Sequence, residues 1–179
     1  MKKAVFLDRD GTIIRDMVYL NDPAKIEIFQ ESFPALKLLH DGGYLIILVT
    51  NQSGVARGLV EEGNVRKIND VIIGHFNDRE TVITDAFYCP HPVDGGCQCR
   101  KPNPGMLLDA AKKHQLDLSQ SWMVGDRMTD VEAGRRAGCK SILLQNETTP
   151  PKEGPFEDPD YICSNVHTAA LLILEKGAS

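Results

Sequence analysis

The chain has no excess of basic charge. Its 25 acidic side chains outnumber 20 Lys and Arg, for a formal net charge of −5 over 179 residues, which offers no electrostatic footprint for nucleic acid or an anionic membrane. It also lacks any apolar run of membrane-spanning length. The first residues, MKKAVFLDRDG, reach charge after too short an apolar stretch to form the hydrophobic region of a signal peptide. No segment repeats, and none is of low complexity. The five cysteines, Cys89, Cys97, Cys99, Cys139 and Cys163, are odd in number and include no Cys-x-x-Cys pair, which weighs against a secreted disulfide framework and a thioredoxin-like redox site. These absences predict a cytoplasmic protein with no nucleic-acid or membrane partner. If an acidic chain of this kind handles phosphates, it must build a local basic site. The length suits one domain over residues 1–179, and with no surplus apolar helix face it is expected to be a monomer.

What the chain does have is an alternation of short β-type runs and amphipathic stretches. Runs at 4–7, 44–50, 86–88, 122–124, 141–144 and 161–163 each end in polar or turn residues. Between them, Phe33, Leu36 and Leu39 mark a helix ending at Gly42 and Gly43, and Val65, Ile68, Ile72, Ile73 and Phe76 give one over about 61–79. Asn103 or Pro104 can open a helix through about Leu116. Thr129 can cap one ending near Gly138, and Asn165 the last, through about Lys176. Residues 146–159 read as a long exposed loop, and Cys139 and Cys163 as inert thiols in apolar surroundings. The pattern predicts an α/β fold, a mostly parallel sheet with helices on both faces, with function at the carboxyl ends of the strands.

Those ends carry the chemistry. Asp8 and Asp10 follow the first strand in FLDRDGT. Two carboxylates so close repel one another unless a cation neutralises them. Asp8 can serve both a hard cation and, as a nucleophile, a phosphorus atom, while Asp10 can move protons at the leaving oxygen. A plain glycine turn remains the competing interpretation of this segment. The second strand ends in Thr50, Asn51, Gln52 and Ser53, donors able to hold a phosphoryl group, or simply an ordinary strand-to-helix loop. WMVGD repeats the design with Asp126 at a strand end, placed to share a magnesium ion. Asp130 follows one helical turn on, placed to orient the metal ligands or to cap a helix. Lys101, in a loop stiffened by Pro102 and Pro104, supplies positive charge.

DRDGT, the threonine of VTNQSG, the lysine of RKPNPG, and GDRMTD, in that order, resemble the motifs of the haloacid dehalogenase (HAD) superfamily of phosphotransferases. The resemblance implies a three-layer Rossmann-like fold, Asp8 as nucleophile and Asp10 as general acid and base. It also implies Thr50 and Lys101 as phosphoryl-stabilising groups, and Mg2+ held by Asp8, the Asp10 carbonyl and Asp126.

Between the third strand and Lys101 lies CPHPVDGGCQC, in which Cys89, His91, Cys97 and Cys99 have the number and spacing to close a tetrahedral Cys3His site around Zn2+. Redox chemistry and a coincidence of structural thiols are the alternatives. With four protein ligands the zinc would be structural, holding still a loop on which Arg100 and Lys101 must meet a phosphate. This loop together with TNQSGVARG narrows the resemblance to the D-glycero-D-manno-heptose 1,7-bisphosphate 7-phosphatases, members of the superfamily with little or no cap domain. By that resemblance the substrate is a small sugar bisphosphate. Its contacts fall at Asp8 to Asp10, the 16–19 segment with Asp16 and Tyr19, Asn51, Gln52, Ser53, Arg100 and Arg127. Histidinol-phosphate phosphatases share DRDGT and the zinc loop and are the rival substrate class. A non-catalytic zinc-stapled interaction domain is the rival of another kind.

Overall fold

In the first strand, β1 (Ala4–Leu7), every residue is buried, so the strand must sit between two covered faces. Its side chains alternate as a pleat requires: Val5 and Leu7 enter one apolar cluster, Ala4 and Phe6 the other. The same alternation runs through β2 (Leu45–Asn51) and β4 (Trp122–Gly125), where Ile46, Leu48, Trp122 and Val124 face one side and Ile47, Val49 and Met123 the opposite one. The computed structural model, which describes residues 1–79, 82–145 and 154–177, completes the sheet with β3 (Ile83–Cys89), β5 (Lys140–Leu144) and β6 (Tyr161–Cys163) in the order β3-β2-β1-β4-β5-β6. Every pairing is parallel.

Helices α1 (Ser32–Asp41), α2 (Glu62–Asn77) and α5 (Val166–Gly177) cover the first face, and α3 (Gly105–His114) and α4 (Met128–Ala137) the second. Each Leu, Ile or Phe wholly withdrawn from water between these layers stabilises the fold by about 1.5–3 kcal/mol. The chain leaves β1 toward β2 and β3 on one side and returns to β4 on the other, so the strand order reverses at β1. A ligand crevice in such a sheet lies at the carboxyl ends beside that reversal. What stands over those ends, among the described residues, is loop: 12–31, 52–61 and 90–104. No helix there is long and apolar enough to cross a membrane.

Several boundaries differ from those read in the sequence. β3 begins at Ile83, not at 86, because polar Thr84 and Asp85 are tolerated on a strand at the sheet's edge. Helix α3 stops at His114, since Gln115 takes a left-handed φ of 58°. Arg127, not Thr129, is the residue flanking α4. The Arg127 backbone N–H donates to Oδ2 of Asp130 at 3.0 Å, so a carboxylate inside the first turn supplies the cap. Asn165 caps α5 as expected, its Oδ1 accepting from the Thr168 N–H at 2.9 Å. Of the loop expected at 146–159, residues 146–153 lie outside those described. The 12–31 segment, unassigned in the sequence, buries Ile13, Ile14 and Leu20 and carries a single 3-10 turn, Pro23–Lys25.

Candidate active site

Four strand ends converge. Asp8 follows β1, Thr50 is the next-to-last residue of β2, Lys101 stands in the loop after β3, and Asp126 follows β4. The Lys101 ammonium is the hub: its Nζ lies 2.7 Å from Oδ1 of Asp8 and 2.6 Å from Oδ1 of Asp130, and it donates to the Val49 carbonyl at 2.8 Å. Burial works against this charge, yet the Asp130 and Asp8 carboxylates outweigh it and hold the pKa above the ordinary lysine range.

Carboxylate oxygens of Asp8, Asp126 and Asp130 all lie within 4.8 Å of one another. With Asp10 they make four acids, met by two buried cations, Lys101 and Arg9. The acids outnumber those buried cations, as suits a site for a divalent ion. The strain of that excess is visible in Asp126. Burial, with the Asp8 and Asp130 charges beside it, pushes its carboxyl up to about 8, and Asp8 is raised by burial and by Asp130 against the pull of Lys101. Oδ1 of Asp126 is buried with no hydrogen-bond partner, as an oxygen awaiting a hard cation would be. Close backbone approach makes room for this cluster. Gly11 has φ +83°, and a Cβ there would fall 2.3 Å from Oδ2 of Asp126; on Gly125 it would fall 2.3 Å from Oδ2 of Asp130. The donor set fits magnesium, a hard ion bound through one or two carboxylates.

Asp10 is held differently. Its Oδ2 accepts from the Thr50 hydroxyl at 3.2 Å and from Nε2 of Gln52 at 2.9 Å, and Gln52 also donates to Thr50 Oγ1 at 2.8 Å. Burial raises the Asp10 pKa, partly countered by Arg9. Sequence reading passed over Arg9. A basic residue set between two acids directly after an apolar strand was the available signal; in the fold it is only 1% exposed.

One cavity of about 880 Å³ opens over these groups; of the residues expected to touch substrate, Asp16, Tyr19, Asn51, Gln52, Ser53, Arg100 and Arg127 line it, whereas Arg9 and Met17 do not. Their postures differ. Arg100 lines the cavity, and its Nη1 is buried without a hydrogen-bond partner among the described residues. Arg127 Nη2 reaches across to Oδ2 of Asp16 at 3.3 Å. The Tyr19 hydroxyl accepts from Arg57, whose guanidinium also lies 5.6 Å from the ring centroid. Asn51 turns both ends of its amide to the backbone of Lys101. Missing from the sequence reading is a further wall, Asp158, Pro159 and Ile162, contributed from beyond β5; nothing in its local pattern marks it as near β1.

The thiol and imidazole cluster assembles at the end of β3, where Cys89 is the last strand residue. Five of its six separations are 3.5 Å for Cys89–His91, 3.5 Å for Cys89–Cys97, 3.1 Å for Cys89–Cys99, 3.2 Å for His91–Cys99 and 3.6 Å for Cys97–Cys99. Bond lengths of about 2.3 Å to sulfur and about 2.0 Å to nitrogen place tetrahedral zinc ligands only slightly farther apart, so the four side chains fit that ion. The Asn103 amide ties the loop together, donating to the Cys97 carbonyl at 2.8 Å and accepting from Arg136 of α4 at 3.2 Å.

A parallel sheet with a lysine-paired aspartate after its central strand, and a cluster of acids suited to a divalent ion at the next strand end, defines the metal-assisted, aspartate-based phosphotransferases. Comparison with known proteins agrees. A HAD-hydrolase-like family model matches residues 98–169. The D-glycero-beta-D-manno-heptose-1,7-bisphosphate 7-phosphatase of Pasteurella multocida is 37% identical over 179 residues, covering 97% of each chain. The D-glycero-alpha-D-manno-heptose-1,7-bisphosphate 7-phosphatase of Photorhabdus laumondii is 37% identical over 96% of each. Among solved structures, the D,D-heptose 1,7-bisphosphate phosphatase of B. bronchiseptica, complexed with magnesium and phosphate, superposes with a TM-score of 0.88 at 32% identity, over 97% of this chain and 99% of that one. The chain belongs to the HAD-like hydrolases, in the family of the heptose-1,7-bisphosphate 7-phosphatases.

Proposed function

We propose that the chain is a single-domain phosphomonoesterase that removes the C7 phosphate of D-glycero-D-manno-heptose 1,7-bisphosphate, in the supply of nucleotide-activated heptose for surface polysaccharide. It works as a cytoplasmic monomer, where reducing conditions keep Cys89, Cys97 and Cys99 available as ligands. The observation that carries the chemistry is the pairing of Asp8 Oδ1 with Lys101 beside the unpartnered Oδ1 of Asp126. The substrate rests on the names of relatives that match along nearly the whole chain.

An Asp8 carboxylate oxygen attacks phosphorus, and the bond from phosphorus to the C7 oxygen breaks as Asp10 passes a proton to that oxygen. Asp10 then takes a proton from water as the water attacks the aspartyl-phosphate, releasing inorganic phosphate and restoring Asp8. Lys101 and the Thr50 hydroxyl stabilise the phosphoryl oxygens, with Gln52 beside them. Magnesium, held by Asp8, Asp126 and the Asp10 carbonyl with Asp130 positioning the set, supplies charge neutralisation when bound. Zinc on Cys89, His91, Cys97 and Cys99 steadies the loop that presents Arg100 and Lys101. Arg100 and Arg127, with Asp16, Tyr19, Asn51 and Ser53 about them, face the sugar and the second phosphate.

Trapping of labelled phosphate on Asp8, and its loss in Asp8→Asn together with turnover, tests the chemistry. Parallel kinetics on both heptose bisphosphate anomers and on histidinol phosphate test the substrate. A clear preference for histidinol phosphate overturns this assignment, and phosphatase activity surviving Asp8→Asn unchanged overturns the mechanism.

A further inference from the structure

Arg9 is withdrawn from water although the reaction scheme gives it no part. A guanidinium this deep destabilises the fold unless its N–H groups meet acceptors. Here they do: Nε donates to Oδ2 of Asp10 and Nη2 to Oδ1, each at 3.1 Å, while Nη1 donates to Oδ1 of Asn69 at 2.9 Å. Asn69 is 4% exposed, on the buried face of α2, sixty residues away in the chain, and does not line the cavity. The Asp10 side chain, by contrast, keeps 20% exposure and does line it. The guanidinium therefore stands behind the carboxyl, gripping both oxygens in a planar fork, and α2 fixes the fork. Lysine in its place would keep the charge and lose the two-point grip.

We propose that Arg9 is a positioning residue for the Asp10 carboxyl and that Asn69 braces it, so that the second helix, through two side chains, sets the angle at which Asp10 meets the leaving oxygen. This rests on the reading of Asp10 as the proton-transferring group. A merely structural ion pair would make the same contacts, so the distinction lies in which substrates suffer when the fork is disturbed. An ester whose leaving group departs as a stable anion does not need a well-aimed proton, whereas a poor leaving group does.

The test measures kcat/KM of the magnesium-loaded protein on 4-nitrophenyl phosphate and on phenyl phosphate, for the parent chain, Asn69→Ala, Asn69→Asp and Arg9→Lys. Asn69→Ala is expected to lose about 10–100-fold on phenyl phosphate, the cost of misplacing a catalytic group by about 1 Å. On 4-nitrophenyl phosphate the loss stays within about threefold, because that ester leans least on the acid. Asn69→Asp, which keeps an oxygen for Nη1, recovers part of the loss, and magnesium affinity is the same in all four. If Asn69→Ala melts before it can be assayed, Arg9→Lys carries the same comparison. Equal losses on both esters, or none, overturn the inference and leave the phosphatase reading standing. A parent chain that hydrolyses neither of these esters nor heptose bisphosphate overturns the phosphatase reading, and this inference with it.

Discussion

Asn51 and Lys101 are joined by two hydrogen bonds. The Asn51 amide donates to the Lys101 carbonyl at 3.0 Å and accepts from the Lys101 N–H at 3.1 Å, as a neighbouring strand would pair with it. With Lys101 Nζ donating to the Val49 carbonyl, the end of β2 holds the lysine at both its backbone and its tip. Asn51→Ala is expected to lower kcat by about 10–100-fold through misplacement of the ammonium, with one zinc per chain retained. Asn51→Asp, which keeps the acceptor and drops the donor, should fall between. Steady-state kinetics alongside metal analysis checks both.

The Asp126 carboxyl gives the metal-free protein a pH signature. Its folded pKa of about 8 stands above the ordinary value of 3.8, so between those limits the folded chain holds a proton that the unfolded chain has released. Its contribution to stability is complete below about pH 4, declines as pH rises, and is lost by about pH 8. Asp126→Asn should remove this component, seen as a flatter dependence of melting temperature on pH in chelator. Magnesium must displace the proton to bind, so it should raise the melting temperature more at about pH 8.5 than at about pH 5.5.

Zinc removal should act on the loop before the sheet. Chelation, or Cys97→Ser, is expected to cost at least about tenfold in activity, the scale seen when groups supporting a site are lost. The helical and sheet signal in far-ultraviolet circular dichroism should be largely kept. Inductively coupled plasma analysis should find one zinc per chain in the parent.

Gly11 and Gly43 make a matched pair. Both have positive φ, +83° and +78°, but a Cβ on Gly11 would strike Asp126 whereas one on Gly43 meets nothing within 4 Å. Alanine at either position should destabilise by about 1–2 kcal/mol through backbone strain. Only Gly11→Ala should also weaken magnesium binding and cut turnover, by about 100-fold. Thermal melts, magnesium titration and kinetics separate the two effects.

The strand ends were legible because apolar runs that stop at Asp8, Thr50 and Asp126 state in one dimension where a parallel sheet gathers its chemistry. β1 and β6 fall at the expected residues, and β2 and β4 are displaced only at their ends. Strand β3 starts before its apolar run because a strand at the sheet's edge tolerates polar residues that a central strand would not. The grip of Asn69 on Arg9 was hidden for another reason: a buried asparagine on an amphipathic helix has the same local pattern as a solvated one, and only the folded chain brings it to residue 9. The 158–162 wall is likewise a matter of tertiary arrangement. Asn51 was expected to touch substrate, and that its amide pairs with the Lys101 backbone depends on a loop fifty residues on.

The order of strands has a consequence for synthesis of the protein. β1 is made first, yet the neighbour on its second side, β4, begins at Trp122, and Asp126 and Asp130 follow it. A nascent chain released from the ribosome only through residue 101 already carries Asp8, Thr50 and Lys101. It still lacks β4, so β1 is open along one edge, and the acids that complete the cluster with Asp8 arrive only once the chain is released through residue 130.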